Sequence, residues 1–280
     1  GGFCGSLATL AVAVAQFQVP VLTGVDTQAV TWTWPWGAGI TIAQLIGIAI
    51  IVIFTELNVI GLRLSAWTQT ATTILPFVLL AALAVGALLM DVEAPAALPA
   101  APPASSGGLT AYVDAYLAVY FAYAGWAAIV YVAGEVRAPQ RNIPIALIGG
   151  TVAVTLLYLL LCGAFLSVFG VSGLAGTPEA GSALARAMGG RGLEVAMVAL
   201  IAAGIVSSIN ATVMGGGRIA FAMARARAFW SGAGVLDSAR SLPVRALRIQ
   251  GMIAIVLVAT GTFDQIFKLA TIAMVVVGSL

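Results

Sequence analysis

The sequence contains no histidine, and that single absence removes several chemistries at once. No Ser/His/Asp or Cys/His triad can be assembled, no histidine-ligated haem or zinc site can form, and no imidazole is present to switch with pH. Cysteine is almost as scarce. Cys4 and Cys162 form no Cys-x-x-Cys pair and both sit in apolar runs, so neither a metal site nor a cofactor is expected. Charge is sparse too: 8% of residues are Asp, Glu, Lys or Arg, where an ordinary soluble domain has about 25%. The formal net charge of +2 is far below the basic surplus that a nucleic-acid partner needs.

What the chain has instead is apolar bulk. Of its 280 residues 61% are hydrophobic, and the mean hydropathy is +1.10. A soluble globule of that composition would lack polar cover for its surface. The expected class is therefore an all-α integral membrane protein in a lipid bilayer. The chain opens on Gly1-Gly2-Phe3, with no initiator Met and no basic signal region, and stops inside the apolar run Val275 to Leu280. A carboxylate stranded in hydrocarbon is costly, so a fragment of a longer chain is expected.

About 20 apolar residues cross the bilayer core as a helix. That ruler gives about eight candidate spans: Cys4 to Leu22, Ala38 to Leu57, Ala66 to Met90, Tyr112 to Ala133, Ile143 to Phe169, Leu193 to Met214 (continuing to Met223), Leu247 to Thr260, and Phe263 to Leu280. Alternating the connections puts Arg63, Arg137, Arg141, Arg218, Arg225, Arg227, Arg240, Arg245 and Arg248 on one side. Only Arg186, Arg191 and Lys268 fall on the other. The Arg-rich side is read as cytoplasmic. The outer side carries Trp32, Trp34 and Trp36, an expected interfacial belt, and a Pro/Ala/Ser/Gly-rich stretch from Asp91 to Thr110 that reads as a solvated loop. Between Pro178 and Arg191 a short amphipathic helix is expected on the outer surface. Few spans have a charge near their centre: Glu56, Glu135 and Arg218 lie near cytoplasmic ends, and Asp114, Glu194, Asp264 and Lys268 near outer ends, which favours a pathway for a solute that brings its own charges.

One segment carries most of the information. Phe121-Ala122-Tyr123-Ala124-Gly125-Trp126 sets small residues and a glycine between bulky aromatics within a span. Small residues let a backbone unwind and approach a ligand, and an aromatic can close over it. Downstream, Glu135, Arg137, Pro139, Arg141 and Pro144 form a turn whose prolines interrupt one helix and open the next. Glu135 and Arg141 pair in this reading as a latch at the cytoplasmic mouth. Gly215-Gly216-Gly217 has the wrong spacing for a phosphate loop and reads as a packing surface or a helix end.

The run from Phe121 to Leu147 resembles the amino acid–polyamine–organocation (APC) family of permeases. Their sixth helix reads Phe-x-Tyr-x-Gly-(Trp or Phe), followed by a Glu and then x-Pro-x-Arg-x-(Ile or Leu)-Pro-x-Ala-(Ile or Leu). Phe121, Tyr123, Gly125, Trp126, Glu135, Pro139, Arg141, Ile143, Pro144, Ala146 and Leu147 match. Ser207-Ser208-Ile209-Asn210 with Arg218 resembles the eighth helix, and Leu242 to Gly251 the start of the ninth. The resemblance covers essentially the whole chain as helices three to ten of twelve, with helices one, two, eleven and twelve absent.

It implies a leucine-transporter-type fold of two inverted repeats. Residues 1–110 would end the first repeat and residues 111–280 form the second. It implies secondary active transport of an amino acid by alternating access, coupled to a proton or sodium, in the plasma membrane (the inner membrane of a bacterium), and no enzymatic activity. Carried over, Phe121, Ala122, Tyr123, Ala124 and Gly125 hold substrate, with Ser207 and Asn210 beside it. Phe121 and Trp126 act as gate, and Ser207 and Ser208 are ion-site candidates. The family's frequent fifth-helix Lys is replaced here by Pro76, so proton coupling through that lysine is not expected. A neutral substrate is favoured because the segment has no acidic residue. The alternatives are a cationic amino acid or polyamine antiporter, and a non-transporting membrane scaffold or sensor.

Overall fold

The computed structural model describes residues 2–33, 39–60, 62–90, 92, 108–126, 129, 133–134, 136–175, 177, 179–237 and 242–278. Helix α1 (Gly2–Ala13) runs through a π-helical turn, Val14–Gln18, into α2 (Val19–Thr23), and the three form one continuous span. Gly24, at φ 74, ends it. A small antiparallel pair of β1 (Val30–Thr33) and β2 (Gly39–Thr41) follows, in the stretch expected to carry an interfacial tryptophan belt. Trp32 stands exposed on β1; Trp34 and Trp36 lie outside the described residues.

Helices α3 (Ile42–Ile60), α4 (Leu62–Leu89), α5 (Leu109–Ala122), α6 (Pro139–Ala175), α7 (Ala180–Arg225), α8 (Val244–Thr260) and α9 (Phe263–Gly278) complete the fold. Their ends lie within a few residues of the expected spans, except for α5. Five helical stretches among the described residues are long and apolar enough to cross a bilayer: Gly2–Thr23, Ile42–Ile60, Thr70–Leu89, Pro139–Ala175 and Ala180–Arg225. Three expected spans fall short of that length. Helix α5 has 14 residues, because the chain leaves the helix at Tyr123, while α8 has 17 and α9 has 16. The residues expected to form a short surface helix make up the first arm of α7, in which Leu184 and Ala185 are fully buried. It is set off at Gly189 and Gly190 (φ 66), whose non-helical dihedrals turn the chain into the long arm.

Packing separates into two large cores bridged by α7, with a small third cluster of Ala224, Ala233 and Ala246 where α7 ends. In the first, Leu7, Ala11 and Val12 of α1 meet Ile51 of α3, Ile209 and Val213 of α7, and Val258 of α8. In the second, Leu83 and Ala84 of α4 meet Val168 and Phe169 of α6, with Leu184 and Met197 of α7. Close approach depends on small residues, as expected where lipid supplies no hydrophobic drive between helices. A Cβ on Gly217 would lie 2.4 Å from Leu247 Cδ2, one on Gly216 2.5 Å from Gln250 Nε2, and one on Gly5 2.7 Å from Ala270 Cβ. Gly216 and Gly217 thus form a packing surface against α8, while Gly215 faces the Phe3 ring of α1. Buried hydroxyls on α1 return to their own helix: Ser6 donates to the Gly2 carbonyl at 2.8 Å and Thr9 to that of Gly5 at 2.9 Å. A polar side chain satisfied this way is tolerated in a bilayer. The outside is apolar, with Ile145, Ile148, Val152, Leu156 and Leu159 exposed along α6.

Charges pair within each face. Arg248 donates twice to the Glu56 carboxylate, Nε to Oε1 and Nη2 to Oε2, both at 3.0 Å. Lys268 Nζ lies 3.0 Å from Asp114 Oδ1, and Arg191 Nη1 lies 3.0 Å from Glu194 Oε2. The first pair joins residues assigned to the Arg-rich side, and the other two join residues assigned opposite. The pairing agrees with the topology drawn from charge alone.

Candidate functional site

Helix α5 stops in mid-fold. Tyr123 has φ −94 and ψ 1, and its N–H still bonds the Val119 carbonyl at 3.2 Å. Ala124 N–H tightens onto the Phe121 carbonyl at 3.0 Å, and Gly125 then takes φ 92. That dihedral is open to glycine and strained for a side-chain-bearing residue, so Gly125 lets the chain leave the helical path. The carbonyl of Ala122, last in α5, accepts a hydrogen bond from the Tyr158 hydroxyl of α6 at 2.9 Å. The Tyr158 ring meets Tyr123 edge to face, with centroids 5.1 Å apart.

This broken end borders a cavity of about 580 Å³ between α1, α4, α5, α6, α7 and α9. Among the sequence-predicted residues, Phe121, Ala122, Ala124, Gly125, Ser207 and Ser208 line it. The Phe121 ring packs against Phe267 of α9 at 5.1 Å. Ser207 and Thr73 of α4 bring their hydroxyl oxygens to 2.6 Å across the helix interface, and Ser208 donates to the Gly204 carbonyl of its own helix at 3.2 Å. Apart from Tyr158, the described lining residues carry no ionisable side chain. A solute with full charges would therefore meet peptide dipoles and hydroxyls there.

Three predicted residues sit elsewhere. Tyr123 and Trp126 line a second cavity, of about 770 Å³, which shares Ala122, Ala124, Gly125, Val154 and Tyr158 with the first. Asn210 is 1% exposed and lies off the cavity wall, its Oδ1 accepting from Asn58 Nδ2 of α3 at 2.9 Å. Three residues turn a helix short of a full circle by about 60°. That offset points Ser207 toward α4 and Asn210 toward α3. The expected Glu135–Arg141 latch cannot be located as a pair, since Glu135 lies outside the described residues; Arg141 is exposed at the start of α6. Sequence reasoning missed Thr73 and Tyr158. Tyr158 had a signal, being the one polar-tipped aromatic in the apolar run from Val152 to Phe165.

A polar cluster ties the outer end of the first span to α7. Gln18 Nε2 donates to Glu179 Oε1 at 3.1 Å, and Ser182 donates to Glu179 Oε2 at 3.2 Å. Glu194 is buried at 7% exposure and receives Arg191, with Arg186 at 3.6 Å. Arg191 also donates to the Val21 carbonyl at 2.7 Å. Burial pushes the Glu179 carboxyl above its ordinary value; the Ser182 hydroxyl pulls it down and the Glu194 charge pushes it up.

The fold and cavity define a multi-pass integral membrane protein whose central cavity abuts a helix broken in mid-span. A family profile described as amino acid permease matches residues 2–280, and the chain belongs to that family, the APC permeases indicated by its sequence. An uncharacterized transporter of Mycobacterium tuberculosis is 30% identical over 226 residues, covering 78% of this chain and 49% of the relative. A serine/threonine exchanger of Bacillus subtilis is 26% identical, covering 67% of this chain and 42% of the relative. The b(0,+)-type amino acid transporter 1 of Mus musculus is 25% identical, covering 80% and 46%. The chain spans about half the length of the curated relatives it matches.

Proposed function

We propose that the chain forms the substrate-holding part of a secondary active permease that carries a neutral amino acid by alternating access. The observation that carries this reading is the end of α5 at Ala122, with Gly125 at φ 92, against a cavity of about 580 Å³. Unwound backbone supplies carbonyl dipoles that complement an ammonium group without a buried counter-charge. The lack of acidic side chains on the described wall supports a neutral substrate over a cationic amino acid or polyamine. The relatives whose names specify a substrate, a serine/threonine exchanger and a b(0,+)-type amino acid transporter, support amino acids as the class.

In this reading Phe121 closes over the substrate from the side of Phe267, and Ala122, Ala124 and Gly125 present backbone to it. Tyr123 and Trp126 face the second cavity instead. Ser207, whose hydroxyl meets that of Thr73, is the nearer candidate for a coupling sodium or proton path than Ser208, whose hydroxyl returns to its own helix. The two-repeat division at residues 110 and 111 belongs to the same proposal.

Uptake of labelled amino acids into proteoliposomes carrying the full-length protein tests it. Saturable uptake of neutral amino acids is expected, with weak competition from lysine or a polyamine. Phe121→Ala is expected to cut uptake by about tenfold, the equivalent of about 1.4 kcal/mol in site affinity. Phe229→Ala, in the turn after α7, is expected to leave it intact. Folded protein with no saturable uptake of any amino acid would defeat the reading in favour of a scaffold or sensor.

A further inference from the structure

Two carboxylates stand where the first span meets the outer arm of α7, and they are held in opposite ways. Glu194 is ion-paired, with Arg191 at 3.0 Å and Arg186 at 3.6 Å. Glu179, at the N-cap of α7, has no cationic partner among the described residues. Its side chain makes no capping bond to its own helix and meets Gln18 instead, whose Nε2 donates to Oε1 at 3.1 Å. Ser182 Oγ lies 3.0 Å from the Glu179 carbonyl and 3.2 Å from Oε2, with one hydrogen to serve both. Gln18 Oε1 is buried and accepts from nothing. The cluster is therefore short of one donor. A carboxylic acid and a primary amide can pair through two hydrogen bonds, amide N–H to acid carbonyl and acid O–H to amide carbonyl. The first of these is present; the second requires a proton on the carboxyl of Glu179.

The end of the first span has little else to hold it. Helix α2 buries none of its residues, and the π-helical turn Val14–Gln18 interrupts the regular ladder just before it. Two side-chain ties reach it from α7: the contact of Glu179 with Gln18, and the 2.7 Å bond from Arg191 to the Val21 carbonyl. The charged groups beside Glu179 are Glu194, Arg186 and Arg191. Residues 14–23 of the first span, 77–89 of α4 and 165–175 of α6, the stretches packed toward that arm, contain no ionisable side chain.

We propose that Glu179 is a proton-binding site on the outer side, and that the bound proton completes an acid–amide pair with Gln18 which fastens the end of the first span to α7. Without the proton, a half-buried anion faces a neutral amide and the Glu194 charge, and Gln18 Oε1 stays bare. The tie weakens, and the end of the span opens more often. Burial pushes the Glu179 carboxyl above its ordinary value. The fastening is thus complete below the ordinary glutamate value and is lost as pH rises through the raised one. The device stands apart from the permease reading, since it needs no solute.

Hydrogen exchange at the backbone amides of residues 14–23 in the full-length protein, corrected for the intrinsic effect of pH, reads the opening. From about pH 4 to about pH 8 protection there is expected to fall about fivefold, the worth of one ordinary hydrogen bond. Glu179→Gln keeps a neutral donor at every pH and is expected to hold the acid level of protection throughout. Gln18→Met keeps the length, loses the amide, and is expected to lower protection at acid pH about fivefold. Protection that does not change with pH in the unaltered protein overturns the site, and so does a pH dependence that survives Glu179→Gln. Should Glu179→Gln fail to fold, Gln18→Met decides: unchanged protection at acid pH removes the acid–amide pair.

Discussion

Glu179 shows how one side chain can set the pH behaviour of a contact between elements. Its carboxyl binds a proton more tightly in the folded chain than in the unfolded one, chiefly because burial disfavours the anion. The stabilising contribution is therefore fully present below the ordinary glutamate value and is lost as pH rises through the raised one. The neighbouring groups are Glu194, Arg186 and Arg191 of α7 and the neutral Gln18 at the end of the π-helical turn. Gln18 Oε1 is buried with no hydrogen-bond partner, so a donor on residue 179 has a use there. Thermal unfolding of full-length protein in detergent should show stability falling across the mildly acidic range. Glu179→Gln, a permanent neutral donor, should flatten that slope and raise stability at neutral pH; an unaltered slope would assign the pH dependence to another group.

Elements approach each other here where side chains are missing. The α7–α8 contact depends on Gly217, whose added Cβ would meet Leu247 Cδ2 at 2.4 Å and Cγ at 2.9 Å, with Leu247 itself buried. Neither helix can yield without disturbing the first core. Gly217→Ala should therefore cost about 1–3 kcal/mol, the usual range for overpacking. Gly163→Ala, on α6 with nothing within 4 Å of the new Cβ, should be neutral or gain about 0.5–1 kcal/mol from helix propensity. Melting temperatures of the two variants, side by side, check the contrast. A similar comparison explains why α5 is short while α6 is long. Pro139 stands at the first position of α6, where a missing N–H costs little, whereas the Gly125 dihedral turns the chain out of the helical path.

The whole molecule has a sidedness that its ion pairs share. Arg248 with Glu56 belongs to the Arg-rich face; Lys268 with Asp114, and Arg191 with Glu194, belong to the opposite one. Cysteines placed at exposed positions on the two faces should report this directly. With the native cysteines replaced, Gln265→Cys should react with an impermeant thiol reagent from outside intact cells. Arg227→Cys should react only after the inner face is opened. Labelling of both from the same side would reverse or break the topology.

Composition and hydropathy were enough for the membrane class and, except for α5, for the span limits to within a few residues, and the small residues after Phe121 marked a place where the backbone could unwind. These depend on local properties: hydropathy over about 20 residues, a glycine among small residues, prolines in a turn. The strand pair at Val30–Thr41 was not legible, since so short a ribbon draws its register from pairing rather than from a hydrophobic face. Only the tertiary structure decided which residues share the cavity. Ser207 and Asn210 are three apart on one helix yet meet different neighbours, and Tyr158 reaches the Ala122 carbonyl from a helix that sequence treats as a featureless span. Contacts between helices follow from the angular placement of each helix against its partners, and no single stretch of sequence contains that information.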